Sequence, residues 1–282
     1  MFALQSALKD RVAVVTGGSG ILCGAMAVEL ARHGVKIAIL NRTLEKGESV
    51  ARRITKAGGI AKAFACNVVD EASVRRAAEE VEAAFGPCTI LINGAGGGHP
   101  KGNTTREVLD PAELGNKELT SFFDITKEGF NFVMDLNLIG SWIPSQVFGR
   151  GMLNRQGATI INISSMAAPK PATKVPAYSA AKAAIDNVTK WMAVHLAEVG
   201  IRVNAIAPGF FLTDQNRALL TTPDGGLTDR SRKIIGHTPM RRFGNPEDLL
   251  GTMLWLVDEE RSGFVTGITV PVDGGFMAYS GV

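Results

Sequence analysis

At 282 residues, 45% of them hydrophobic and 20% charged, the chain has enough apolar material for one large core and too much for a disordered polymer. Its net charge of +3 comes without a basic run, which argues against nucleic acid or a membrane surface as a partner. Cys23, Cys66 and Cys88 show no metal-ligand spacing and predict reduced, buried thiols with no metal site. Neither the opening MFALQSALKDR nor any later stretch reads as a leader or a spanning helix, so a cytoplasmic protein is expected.

Apolar runs typical of buried strands fall at Val12–Val15, Val35–Leu40, Ala61–Ala65, Ile90–Ile92, Thr159–Ile163, Val203–Ile206 and Ile268–Val270. Between most of them the apolar spacing turns helical, over Ile21–His33, Leu44–Ala57, Glu71–Phe85, Thr126–Arg150, Ala177–Val199 and Pro246–Val257. Gly34, Gly58 and Gly200 stand where three of these helices should stop, and Pro246 suits a first helical turn. This alternation predicts a single α/β domain over residues 1–282: one doubly wound, Rossmann-type parallel sheet with helices on both faces. Two polar stretches, 97–125 and 210–240, interrupt the rhythm. Both should emerge from the carboxyl ends of strands, so they read as an inserted loop and a substrate loop.

Thr16-Gly17-Gly18-Ser19-Gly20 leaves the first strand and enters a helix. Glycines there let the backbone approach a pyrophosphate, whose charge the helix N-terminus favours. At the end of the second strand, where a carboxylate would bind the ribose hydroxyls of NAD, stand Asn41 and Arg42. Without the carboxylate a 2′-phosphate is not repelled, and Arg42 offers it a planar fork. NADP(H) is therefore expected to be preferred, with NAD(H) still usable because Asn41 can hydrogen-bond a ribose.

Ser165 lies at the end of the fifth strand, and Tyr178 and Lys182 stand four apart near the start of a helix, on one face. A free phenol titrates near about 10, and moving it towards neutrality takes about 4 kcal/mol of differential interaction. Lys182 and a cationic nicotinamide together are expected to supply it.

In this order the elements resemble the short-chain dehydrogenase/reductase family over essentially the whole chain. They are the glycine turn, Asn67-Val68, Asn93-Gly94-Ala95-Gly96, Asn137, Ser165, Tyr178-Ser179-Ala180-Ala181-Lys182, Pro208-Gly209 through Thr213, and Val272-Asp273-Gly274-Gly275. The resemblance implies Tyr178 as general acid for ketone reduction and base for alcohol oxidation. It implies Lys182 as the group that lowers the phenol pKa and binds the nicotinamide ribose, and Ser165 as the partner of the reacting oxygen. Asn137 would hold a water in a proton relay behind Lys182. The implied cofactor contacts are Gly17, Gly18, Ser19, Gly20, Ile21 and Leu22 at the turn, and Asn41, Arg42, Asn67 and Val68 at the adenosine end. Asn93, Ala95, Gly96, Tyr178, Lys182, Pro208, Gly209, Phe211 and Thr213 complete the set. A homotetramer is implied as well. Three features depart from the family: Gly20 falls one place early, with Ile21 and Cys23 at the usual second and third glycine places; Asn67 replaces the more common aspartate; and the Asn93 to Asn137 connection is long.

GGGHPKGNTT, TKVPAYSAAKAAI, GFFLTDQNRALL and VDGGFMAYSGV further resemble the D-mannonate oxidoreductase (fructuronate reductase) subgroup. That implies interconversion of D-fructuronate and D-mannonate. A sugar-acid substrate needs a cation for its carboxylate and partners for its hydroxyls. His99, Lys101, Asn103, Lys174, Asn216, Arg217 and His237 are the candidates. Reduction of another ketone, a 5-ketogluconate or a β-ketoacyl thioester, and a non-catalytic dinucleotide-binding regulator are the alternatives.

Overall fold

The apolar runs form β1 (Val12–Thr16), β2 (Lys36–Asn41), β3 (Ala61–Ala65), β4 (Ile90–Asn93), β5 (Thr159–Ile163), β6 (Arg202–Pro208) and β7 (Thr269–Val272). They make one parallel sheet in the order β3-β2-β1-β4-β5-β6-β7. The computed structural model of the protein describes residues 6–212 and 220–281, so Thr213, Asn216 and Arg217 lie outside the described residues. The helices are α1 (Ile21–Arg32), α2 (Leu44–Lys56), α3 (Glu71–Phe85), α4 (Lys127–Met134), α5 (Gly140–Met152), α6 (Pro176–Leu196), α7 (Asp229–His237), α8 (Leu250–Val257) and α9 (Glu259–Ser262). Among the described residues no helix is long and apolar enough to cross a membrane.

Alternation along the strands feeds two cores. Ile37, Ile39, Ile90 and Ile92 pack against Met26, Leu30, Ile54 and Leu254 of α1, α2 and α8. Val14, Leu40, Leu91 and Ile160 face Val74, Val81, Met152 and Met192 of α3, α5 and α6. Helices therefore cover both faces, as the sequence predicts. Each such aliphatic side chain contributes about 1.5–3 kcal/mol by leaving water.

The strand order reverses between β1 and β4, which opens a crevice above the carboxyl ends where α/β sheets bind ligands. Register aligns those ends: Thr16 lies opposite Asn93, and Asn93 opposite Asn162.

Two expected elements differ. The helix expected over Thr126–Arg150 is broken by a π turn, Asp135–Ile139, between α4 and α5. The N–H of Gly140 reaches back five residues to Asp135 rather than four to Leu136, leaving an extra residue in the turn, and Pro144 follows inside α5. The 210–240 stretch carries a real helix, α7, whose first turn is capped by Thr228 Oγ1 accepting from Ser231 N at 3.2 Å. The 97–125 insertion holds three short 3₁₀ turns, capped by His99, Asp110 and Ser121.

Candidate active site

The glycine turn is locked from two sides. Thr16 Oγ1 accepts from Gly94 N and Ala95 N at 3.0 and 3.1 Å, tying β1 to the loop after β4. Gly17 has φ 62°, and a Cβ there would stand 2.8 Å from Ala95 Cα, so a side chain is excluded by conformation and by space. Asn41 closes the other side, accepting from Ser19 N at 3.0 Å and donating to Ser19 Oγ at 2.6 Å. Its amide is thus committed to the turn.

Beyond Gly20, α1 begins with no side-chain cap and no acidic residue in its first turn, an arrangement that suits an anion at its amides. Cys23, at the usual third-glycine place, finds room because residue 94 is glycine: a Cβ on Gly94 would lie 2.1 Å from the Cys23 sulfur. Burial pushes the Cys23 thiol up to about 11, keeping it protonated and uncharged beside Lys182.

Two cavities flank this turn. One, of about 450 Å³, is lined by Gly17, Asn41, Arg42, Asn67, Val68, Ala95 and Gly96 among others, with Arg42 exposed at its edge. The second, of about 310 Å³, is lined by Leu22, Ser165, Tyr178, Pro208, Gly209 and Phe211, together with Arg230. An elongated molecule with an anionic middle and two ring-bearing ends fits that layout, so the residues present suit a dinucleotide. Asn93 is different: its side chain turns into the protein, donating to Ser145 Oγ at 2.8 Å and Asn162 Oδ1 at 2.9 Å.

The structure brings Ser165, Tyr178 and Lys182 together. Tyr178 stands in the first turn of α6, half-buried, and lines one cavity with Ser165. Lys182, one turn on and 5% exposed, donates to the Ile163 carbonyl at 2.7 Å and lies 5.5 Å from the centre of the Tyr178 ring. Burial raises the Tyr178 pKa above its ordinary value, with the nearby Ser165 side chain opposing. Burial also pushes Lys182 down to about 8, against the fields of Cys23 and Asp186. The sequence led us to expect a phenol lowered by Lys182 together with a cationic nicotinamide. Among the side chains alone desolvation is the larger influence, with the ammonium engaged by the Ile163 carbonyl. A phenol kept protonated is the form a proton donor needs.

Asn137 sits on the π turn, fully buried. It donates to the Gly97 and Val133 carbonyls, both at 2.8 Å, and accepts from Gly97 N at 3.1 Å. Its backbone carbonyl takes the Ser141 hydroxyl at 2.8 Å. From there a buried polar chain runs through Ser145, Asn93 and Asn162 to Thr189 on α6, fixing the π turn against β4, β5 and the helix that bears Tyr178. Gly96 completes the fit: a Cβ there would lie 2.6 Å from Asn137 Oδ1 and 3.4 Å from Lys182 Nζ.

Five of the predicted substrate residues fall among the described residues. His99 caps a 3₁₀ turn, accepting from Lys101 N at 3.2 Å, and packs on Phe132. Lys101 is exposed, and Asn103 Oδ1 is buried without a partner. Lys174 has φ 71° and its carbonyl accepts from Thr104 N, anchoring the insertion. His237 ends α7, with Nδ1 2.8 Å from the Lys233 carbonyl. None of these five lines the cavity that holds Ser165 and Tyr178, whereas Arg230 does. The Thr228-Asp229 start of α7 was the signal that could have placed Arg230 on a helix facing the cleft.

A phenol, a hydroxyl and a buried ammonium gathered at the carboxyl edge of a doubly wound sheet, beside an uncapped helix N-terminus, define a dinucleotide-dependent oxidoreductase architecture. The family model described as Enoyl-(Acyl carrier protein) reductase matches residues 19–277, and the chain belongs to the short-chain dehydrogenase/reductase family. It is 60% identical over 282 residues to the "Uncharacterized oxidoreductase UxuB" of Bacillus subtilis, spanning 100% of both chains. It resembles the crystal structure of a "putative D-Mannonate oxidoreductase" from Haemophilus influenza with bound NAD, at TM-score 0.94 and 48% identity, over 99% of this chain and 100% of that one. The 2-dehydro-3-deoxy-D-gluconate 5-dehydrogenase of Formosa agariphila is 34% identical over 275 residues, covering 97% of this chain and 95% of its own.

Proposed function

We propose that the protein interconverts a sugar-acid ketone and its alcohol, D-fructuronate and D-mannonate, with NADP(H) preferred and NAD(H) accepted. The observation that carries the chemistry is the convergence of Tyr178 and Ser165 on the wall of the 310 Å³ cavity, with Lys182 one turn away. The full-length likeness to a structure described as a "putative D-Mannonate oxidoreductase" supports the substrate class.

When bound, the nicotinamide supplies or accepts the hydride. The chain's own side chains manage the oxygen. Ser165 donates a hydrogen bond to the substrate oxygen, and Tyr178 hands it the phenolic proton as ketone becomes alcohol. The Lys182 ammonium stabilises the phenolate left behind and meets the nicotinamide ribose. Asn137, held by Gly97 and Val133, orders the water that returns a proton through Lys182. In the oxidative direction the same groups act in reverse.

Arg42 at the edge of the adenosine-side cavity, with no carboxylate at the end of β2, supports NADP(H). The NAD bound in the related structure favours NAD(H), so both belong in the test. The outer faces of α5 and α6, where Trp191 and Val194 are exposed, would join copies into a cytoplasmic homotetramer. The deciding experiment is spectrophotometric turnover of D-fructuronate, 5-ketogluconate and a β-ketoacyl thioester with NADH and with NADPH. Fastest turnover of D-fructuronate with NADPH is the expected result. No D-fructuronate turnover with either cofactor overturns the substrate, and equal rates with both overturn the cofactor preference.

A further inference from the structure

The cavity that holds Ser165 and Tyr178 is lined in part by Arg230, the second residue of α7. That side chain is only 26% exposed, yet it makes no hydrogen bond to any of the described residues. Its ion-pair neighbour is Glu107 of the insertion, with the nearest nitrogen–oxygen approach 3.6 Å, beyond a good hydrogen bond. The Glu107 carboxylate is instead hydrogen-bonded by Lys233 at 3.0 Å, one turn further along α7. Lys174 also lies near enough to help hold the Glu107 carboxyl below its ordinary value, although the Lys233 hydrogen bond is the largest influence.

The other arginines withdrawn from water behave differently. Arg11 donates to Thr89, Gly157 and Val257, and Arg202 to Leu256, Ser262 and Val265. Both are structural clamps with their donors answered by carbonyls and hydroxyls. A partly buried guanidinium whose fork is unanswered is unfavourable unless a ligand answers it. Three cations, Lys174, Arg230 and Lys233, act on one carboxylate, so Glu107 does not cancel the positive charge around Arg230.

We propose that Arg230 is the specificity-determining residue of this site, receiving the substrate's carboxylate in its planar fork while Tyr178 and Ser165 hold the ketone oxygen at the opposite end. Glu107 anchors α7 through Lys233 and leaves the donors of Arg230 open to the cavity. This rests on the sugar-acid reading above. It also gives the insertion a part: Glu107 is contributed by the 97–125 stretch and pairs with Arg230 and Lys233 of α7.

The test compares D-fructuronate with D-fructose, in which a hydroxymethyl replaces the carboxylate at the far end of the chain from the reacting ketone. Steady-state kcat/KM for both is measured with wild type, Arg230→Gln and Arg230→Lys, with NADPH affinity followed by fluorescence titration as a control for folding. The ratio of kcat/KM for D-fructuronate over D-fructose is expected to fall by about tenfold or more in Arg230→Gln, through KM, because a charge-assisted bond is lost. Arg230→Lys keeps the charge without the fork and should recover part of that ratio. If wild type prefers D-fructuronate and Arg230→Gln keeps that preference, the Arg230 assignment is overturned while the sugar-acid reading stands. If wild type shows no preference for the acid, the sugar-acid reading fails and the carboxylate role goes with it. Should Arg230→Gln lose NADPH binding, the Arg230→Lys ratio decides: an unchanged ratio together with an unchanged KM rejects the fork.

Discussion

The floor and the roof of the cleft are built by opposite means. The floor, made from the carboxyl ends of β1, β4 and β5 with the π turn and α6, is packed until a single Cβ on Gly17, Gly94 or Gly96 would collide. Its polar groups form one buried chain from Asn137 to Thr189. The roof, made from the insertion and α7, is joined by ion pairs on or near the surface, Glu107 with Lys233 and Arg230, and Arg106 with Glu113. Such pairs contribute little to stability, typically about 0–1 kcal/mol, and their geometry adapts. Proton transfer needs the rigid floor, where misplacement by an ångström is costly. Choice of substrate can be left to an adjustable roof.

The largest effect should come from the floor. Tyr178→Phe removes the proposed proton donor and is expected to lower kcat for ketone reduction by about a thousandfold while NADPH affinity, read by fluorescence, is kept. A mild loss would hand the proton to some other group and dissolve the distinction between floor and roof.

Next is Lys182→Met. The folded pKa of Lys182, about 8, lies below the ordinary lysine value of 10.5, so the folded state disfavours the ammonium. That penalty is present in full below about pH 8 and disappears as pH rises towards the unfolded pKa. The methionine variant should be inactive yet more stable than wild type by up to about 3 kcal/mol at pH 7, an advantage that shrinks towards pH 10. Urea denaturation at the two pH values measures it. A variant less stable at pH 7 would mean that Lys182 stabilises the floor rather than straining it.

Asn162→Ala cuts the buried chain, leaving Asn93 and Thr189 each without one partner. It should cost about 1–3 kcal/mol in the same denaturation experiment and lower kcat as the π turn loosens. A loss of stability with kcat intact would confine the chain to a structural role.

The difference between floor and roof also explains what the sequence disclosed. Buried parallel strands must be continuous apolar runs, so β1 and β5 could be found from Val12–Val15 and Thr159–Ile163 alone, and the i, i+4 step put Tyr178 beside Lys182. Contacts between distant residues were not legible. Nothing local to Asn41 says that its amide would be taken by Ser19, and nothing local to Gly94 says that Cys23 would fill its missing side chain. The π turn was hidden because an inserted residue leaves the apolar rhythm nearly intact. In the roof the signals were weakest. The helix DRSRKIIGH carries few apolar residues, so its period is faint and Arg230 passed for a loop residue, while His99, chosen as a substrate contact, serves as a turn cap. Resemblance to a family named the floor readily because chemistry constrains it; the roof had to be seen.

The division of labour is tested most directly by kcat and KM for D-fructuronate in two variants side by side. Gly96→Ala drives a Cβ into Asn137 and should lower kcat about tenfold or more with KM little changed, because it disturbs positioning rather than binding. Glu107→Gln frees α7 from the insertion and should shift KM by about two- to fivefold with kcat little changed. The reverse pattern, a roof variant that loses kcat at constant KM or a floor variant that alters only KM, would contradict the account.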